Sequence, residues 1–206
     1  MVNSIFGLAM AGLLVSSFAS SASATSIGEE AGYVETYVGD ELISTTQESD
    51  GSKPDGNLST RSLPPISHAA CYVAKNAAFS VANFDVKKFG SGPNKVDMRC
   101  GTANGAGYLH IEFRHKSQWV KKGQWHSAYP ASEWDMFMMK ASRQALAKPL
   151  STVDQGSNKY CYQSTVTRTH YTAKGLQDQR TWPMSVVISA NNKIVITSFP
   201  GASCKE

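Results

Sequence analysis

Two histidines and two cations crowd a short segment in the middle of the 206-residue chain. The segment HIEFRHK contains His110, Arg114, His115 and Lys116. Histidine titrates near neutral pH, so two of them can supply both the acid and the base of one reaction. Arg and Lys can clamp phosphate oxygens and stabilise transition-state charge. These residue types suit metal-free RNA cleavage, in which the ribose 2′-OH attacks the adjacent phosphorus and the 5′-oxygen leaves.

The spacing of the two histidines raises a geometric question. Ile111, His115 and Trp119 recur at four-residue intervals within residues 108–121, which predicts a helix. His110 and His115 would lie about 140° apart on it, so their rings should diverge unless the fold bends the segment. In that case His126 or His170 becomes a candidate second catalytic group, although a surface or capping role is the simpler interpretation. For His115 alone, a place in the core is as good an interpretation as a functional one.

Sequence motifs for other kinds of chemistry are absent. The chain has no Gly-x-Ser-x-Gly elbow, no His-Glu-x-x-His, no Walker loop and no dinucleotide fingerprint. The predicted mechanism needs no metal or other cofactor. Arg168, Lys174 and Arg180 bracket a turn predicted within residues 172–181 and are candidate phosphate-binding residues, with a solvated charged turn as the alternative.

Charge is unevenly distributed along the chain. Residues 25–65 carry a net charge of −6 and residues 66–206 a net charge of +10. A basic domain favours a polyanionic partner, and RNA is the one predicted here. A non-catalytic module that binds a polyanion or a cell surface is the alternative from another functional class. A glycan hydrolase is a weaker alternative, because no pair of carboxylates is evident.

The N-terminus predicts export from the cell. An apolar run at residues 5–15 is followed by small residues that end in Ala-Ser-Ala at 22–24, the pattern of a cleavable signal peptide over residues 1–24. Residues 25–65 are polar and acidic, which predicts a disordered leader or propeptide. The folded domain is expected at residues 66–206. We therefore expect a secreted monomer without stable membrane association.

The cysteines predict disulfides. Four cysteines in an exported chain favour two bonds, and three pairings are possible. We favour Cys71–Cys100 and Cys161–Cys204, because each pair falls within one predicted half of the domain. A zinc site is the alternative, although no two of these cysteines have the close spacing that zinc sites use.

Periodicity and composition predict an α+β domain with N-terminal helices followed by a C-terminal antiparallel sheet. Ser132 is the predicted N-cap of the third helix, and the aromatic and Met stripe of that helix is expected in the core. The predicted elements are helices over 68–80, 108–121 and 132–148, a loop over 90–107, strands over 159–171, 184–190 and 193–199, and a hairpin turn at Asn191-Asn192.

This order of features resembles the toxin ribonucleases of the barnase–EndoU–colicin–RelE superfamily. Several members have a His-Ile-x-x-(Arg/Lys)-His segment, a helix, and an antiparallel sheet whose last strand ends in a Thr-x-(Phe/Tyr)-Pro-like sequence. Here HIEFRH occupies residues 110–115 and TSFP occupies residues 197–200. The resemblance covers roughly residues 70–203.

The resemblance implies roles for single residues. His110 and His115 are the implied acid–base groups, Arg114 and Lys116 the implied phosphate ligands, and Thr197 the residue of the last strand that lines the cleft. RNA, with tRNA as a candidate, is the implied substrate. A cognate inhibitor protein is a candidate partner. Two disulfides fit a free-standing secreted enzyme, or a toxin that survives outside cells.

Overall fold

The computed structural model describes residues 32–47, 63–202 and 204 of the chain. The signal peptide expected at residues 1–24 lies outside them. The strands are β1 (Tyr33–Val38), β2 (Glu41–Gln47), β3 (Ser80–Asp85), β4 (Lys95–Arg99), β5 (Ser151–Gly156), β6 (Lys159–Thr172), β7 (Gly175–Ser189) and β8 (Ile194–Phe199). The helices are α1 (Pro65–His68), α2 (Tyr108–Gly123) and α3 (Trp134–Ala147). A π-helical turn (Ala69–Val73) continues α1, and two 3-10 turns (Trp125–Ser127 and Ala131–Glu133) connect α2 to α3.

The strands form one mostly antiparallel sheet. Its order is β2-β1-β6-β7-β8-β4-β3, and β5 pairs with the beginning of β6. The long β6–β7 hairpin is the centre of the sheet, and the pair β4–β8 is parallel. The α+β class is confirmed. The expected order of helices before strands is wrong, since two strands precede α1 and the two long helices lie between β4 and β5.

The N-terminal hairpin overturns part of the predicted disordered leader and moves the start of the folded domain upstream of residue 66. β1 pairs with β6 along its whole length, and Val34 and Val38 are buried in the core. The hairpin also contacts the helical layer, because the Tyr129 hydroxyl donates to Ser44 Oγ at 2.6 Å. Residues 33–47 are therefore an integral part of the sheet. The remaining predicted leader, apart from Gly32 and residues 63–65, lies outside the described residues.

The helices α2 and α3 cover one face of the sheet. Trp119 of α2 meets Phe137 of α3 edge to face with ring centres 5.3 Å apart, and both side chains are fully buried with Met138. This confirms that the aromatic and Met stripe of α3 is core. The α-helix begins at Trp134 after a 3-10 turn that contains Ser132, so the prediction that Ser132 is its N-cap is wrong. Within the described residues, no helix is both long and apolar enough to cross a membrane.

The other predicted elements differ in how well they match the structure. The helix predicted over 68–80 ends at Val73, since the following residues turn toward β3. The segment predicted as a loop over 90–107 contains the strand β4. Its five residues, Lys-Val-Asp-Met-Arg, alternate between polar and buried positions, but the run is too short for the alternation to predict a strand. The strand predicted over 159–171 is confirmed as β6, and the turn after it is tighter than predicted because β7 already begins at Gly175.

Both predicted disulfides are confirmed. Cys71–Cys100 ties the π-helical turn to the end of β4, and Cys161–Cys204 ties β6 to the C-terminal segment. The pairing leaves none of the four as a thiolate ligand, which excludes the zinc alternative. Two disulfides indicate an extracellular or otherwise oxidising environment.

Candidate functional site

The helix α2 is held along an edge of β8. Within the part of the chain that the structure describes, β4 pairs with β8 only at Ile194, and the carbonyls farther along that edge have no strand partner. Two groups from the helix side take them: Gly107 N donates to Ile196 O at 3.0 Å, and Trp119 Nε1 donates to Ser198 O at 3.1 Å. Buried backbone carbonyls need such partners, so these bonds fix α2 against the last strand.

A tight turn places the beginning of α2. Gly107 has φ +88°, and a Cβ there would lie 2.4 Å from Arg99 O. Gly101 has φ +64°, and its Cβ would lie 1.5 Å from Ala106 O. Only glycine tolerates both this backbone conformation and this close approach. The turn therefore brings the first residues of α2 directly against the end of β4.

His110 and His115 approach each other on this helix. Their ring centres are 6.1 Å apart and the rings are edge to face. The expectation that the rings diverge is wrong: the two side chains bend toward each other although their positions lie about 140° apart around α2. Phe199 at the end of β8 stacks on His115 with ring centres 5.2 Å apart. The last strand therefore supports the ring of the second histidine.

Hydrogen bonds orient both imidazoles. His110 Nδ1 lies 3.1 Å from Ala103 O. A carbonyl oxygen can only accept, so Nδ1 carries the hydrogen and Nε2 is the basic nitrogen of the neutral ring. His115 Nδ1 lies 3.2 Å from Gln118 Oε1, and the amide oxygen gives this ring the same tautomer. Each histidine therefore has its Nδ1 engaged by α2 or by the loop before it.

Three other expected site residues, Arg114, Thr197 and Lys116, lie at different places relative to the histidine pair. Arg114 is exposed and lies one turn after His110 on the same side of α2. Thr197 shares a strand face with Phe199, and its hydroxyl is buried without a hydrogen-bond partner among the described residues. Lys116 is engaged elsewhere, since its Nζ lies 3.0 Å from Glu112 and 5.6 Å from the ring centre of Trp134. The structure does not bring Lys116 to the pair.

Arg168 is not available as a phosphate ligand. It is fully buried, and its Nη1 donates to Lys122 O at 2.7 Å and to Gly123 O at 2.9 Å. These are carbonyls of the last turn of α2, where a cation is favourable. Burial lowers the pKa of Arg168 to about 10, which still leaves it charged at neutral pH. The prediction of a surface phosphate contact is wrong; Arg168 caps the C-terminus of α2.

Lys174 lies far from the histidine pair. It occupies the turn between β6 and β7, eleven residues before Ser185, which pairs with Phe199. At about 3.3 Å per strand residue, this distance is roughly 36 Å.

A second histidine pair lies beyond the C-terminus of α2. His126 and His170 stack with ring centres 3.9 Å apart, and His126 also meets Trp125 at 4.4 Å. His170 is only 7% exposed. His126 and His170 were catalytic candidates only if the rings of His110 and His115 diverged, and those two rings converge. The second pair packs the connection after α2 against β6.

A basic cavity that the sequence patterns did not predict lies between the end of α2 and β7. It has a volume of about 390 Å³ and contains Lys122, Arg180, Trp125 and Trp182 in its wall. Two signals could have pointed to it. His110, Arg114, Gln118 and Lys122 follow one another at four-residue steps on α2, and Arg180 and Trp182 alternate onto one face of a strand.

The comparison of this chain with protein-family models, curated proteins and solved structures finds no match.

Proposed function

We propose that this protein is a secreted, metal-independent endoribonuclease, and that His110 and His115 are its acid–base pair. The observation that carries the proposal is the 6.1 Å separation of their ring centres beside Phe199. Two imidazoles at this distance can both reach the oxygens around one phosphodiester. Arg114 precedes His115 in sequence and lies on the same side of α2 as His110, so we assign it as the cation that contacts the phosphate.

Both rings leave Nε2 as the basic nitrogen, so their tautomers do not divide the roles; we assign the base to His110 and the acid to His115. His110 Nε2 accepts the 2′-OH proton, since its Nδ1 hydrogen is held by Ala103 O. The 2′-oxygen then forms a bond to phosphorus while the bond from phosphorus to the 5′-oxygen breaks. Protonated His115 donates to that leaving oxygen, and Arg114 stabilises the added negative charge. The products are a 2′,3′-cyclic phosphate and a free 5′-OH.

The alternative function is a non-catalytic module that binds a polyanion or a cell surface. The basic cavity beside β7 is compatible with it. Only the enzyme interpretation makes use of two imidazoles that converge in space, which is why we favour it. A polyanion binder would need the cations and would be indifferent to the two histidines.

The test incubates the secreted protein, with both disulfides formed, with total RNA and with tRNA. The N-terminal hairpin must be included, because β1 is part of the sheet. We expect RNA fragments with cyclic phosphate ends, unchanged yield with excess chelator, and a rate loss of about 10²–10⁴-fold in His110→Ala and in His115→Ala. His68→Ala is the control for removal of a histidine, since His68 stacks on Tyr72 and is not a member of the proposed acid–base pair.

Thermal unfolding of each variant separates loss of chemistry from loss of fold. Cleavage that stops with chelator, or that survives both substitutions at wild-type rate, contradicts the proposed mechanism. Polyanion binding that persists with no cleavage by the wild type favours the alternative function.

A further inference from the structure

The cavity at the C-terminal end of α2 holds its cations against aromatic rings. Lys122 Nζ lies 4.9 Å from the ring centre of Trp182, and the guanidinium carbon of Arg180 lies 5.6 Å from that of Trp125. A ring face fixes the position of a cation without neutralising its charge. Asp178 lies 3.7 Å from Arg180 as an exposed ion pair, which solvent weakens. The cavity therefore presents ordered positive charge.

Two arginines face each other across the strands beneath this cavity. Arg168 of β6 and Arg180 of β7 are paired in register, which is unfavourable for like charges. Trp125 moderates the repulsion, since both guanidinium carbons lie 5.6 Å from its ring centre. Nε and Nη2 of Arg168 are buried and have no hydrogen-bond partner among the described residues. Arg168 is too deeply buried to touch a ligand, so an anion that relieves the repulsion between the two guanidinium groups must bind at Arg180.

The cavity also borders an open edge of the sheet. β8 pairs with β7 only from Ser185 to Ser189, so residues 175–184 have no strand partner on that side within the described residues. Alternate backbone N–H groups on such an edge point outward and can donate to a ligand. Oxygen-rich anions are the ligands that combine well with backbone N–H groups and fixed cations.

We propose that this cavity is a distal phosphate site, which binds the backbone phosphates of single-stranded RNA away from the bond that is cleaved. The inference rests on the proposed function. His115 and Lys122 are seven residues apart, so they lie within about 20° of each other around α2 and about 10.5 Å apart along it. At 3.4 Å per nucleotide of a stacked strand, that distance is about three nucleotides. Gln118 lies between them on the same side of the helix.

The test measures binding rather than cleavage. Fluorescein-labelled oligothymidylates of two to eight nucleotides lack the 2′-OH and cannot be cut, so anisotropy reports their affinity for the intact, disulfide-bonded protein. In the wild type, affinity should rise between two and about five nucleotides. Lys122→Gln and Arg180→Gln should each weaken eight-nucleotide binding about tenfold, abolish the rise with length, and lower the salt slope by about one.

Lys159→Gln is the matched control, since it removes one exposed charge at the other end of the β6–β7 hairpin. Equal binding by Lys122→Gln, Arg180→Gln and Lys159→Gln overturns the distal site, whether or not RNA is cleaved. Tighter binding of a heparin fragment than of the oligonucleotide, with the same dependence on Lys122, overturns the assignment to RNA. If the wild type cuts no RNA but binding depends on Lys122 and Arg180, the site is supported and the proposed function fails.

Discussion

The N-terminal hairpin should contribute directly to the stability of the whole domain. Val34 and Val38 lie on the core side of β1, with 0% and 1% of their surface exposed. Replacing either by Ala in the intact protein removes two buried methylene equivalents. Because β1 pairs with the central strand β6, we expect the loss to appear in the main cooperative unfolding transition rather than in a separate early one.

The magnitude follows from the buried groups. Each methylene equivalent contributes about 0.8 kcal/mol of transfer free energy, so each Val→Ala change should cost about 1.6 kcal/mol before the residual cavity adds to it. Val34 and Val38 are four strand residues apart, a distance of about 13 Å, at which effects of substitutions usually add. The double variant should therefore lose at least about 3 kcal/mol of unfolding free energy.

Urea unfolding followed by tryptophan fluorescence measures this loss through the midpoint at constant slope. Leu42→Ala on β2 is the control: this side chain is 48% exposed, so its substitution should cost well under 1 kcal/mol. If Val34→Ala costs no more than Leu42→Ala, the hairpin is a detachable leader after all and the assignment of residues 33–47 to the folded domain is refuted.

Three further predictions concern the rest of the fold. Burial raises the pKa of Tyr108, so the unfolded chain releases that proton first, and the contribution of Tyr108 to the unfolding free energy should fall as the pH rises above about 10, by at most about 1.4 kcal/mol per pH unit. Urea titrations at pH 8–11 should show a shallower fall in Tyr108→Phe than in the wild type. The double change Cys161→Ser/Cys204→Ser opens a loop with a sequence separation of 43 residues and should cost about 4 kcal/mol, measured as a lower urea midpoint; an unchanged midpoint contradicts this. Gly107→Ala should destabilise by about 1–3 kcal/mol and lower RNA cleavage per folded molecule, whereas wild-type stability would mean that the turn into α2 is not constrained as described.

Local patterns predicted the elements that are long and strongly periodic. α2, α3 and β6 were expected within a few residues of their bounds, because their apolar residues recur at helical or strand spacing. The β1–β2 hairpin was missed, since residues 25–65 as a whole are acidic and polar. Its strands are individually clear, with buried Val34, Thr36 and Val38 alternating with Glu35 and Tyr37. The average composition of these forty residues does not show that buried and polar residues alternate within β1.

The candidate site was predictable only in part. The histidine–cation segment is local and was found, but the approach of its two rings depends on side-chain direction and on Phe199, about 85 residues away in the chain. Arg168 could not be assigned from sequence. A buried arginine that caps a helix and an exposed one that binds phosphate look the same until the tertiary contacts are known. The basic cavity was missed because α2 and β7 meet only in the folded chain.

The helix α2 packs against β8 and also presents histidines and cations, and these two roles depend on different residues. Covering the edge of β8 needs the buried side chains on one side of the helix, Ile111 and Trp119, and the hydrogen bond that Trp119 donates. That packing does not require histidine or a cation at the positions of α2 that are not buried, where any polar residue with good helix propensity would serve equally. Yet His110, Arg114 and Lys122 occupy three of these positions. Stability does not account for their chemistry, so substitutions there should change RNA binding and cleavage far more than they change the unfolding free energy.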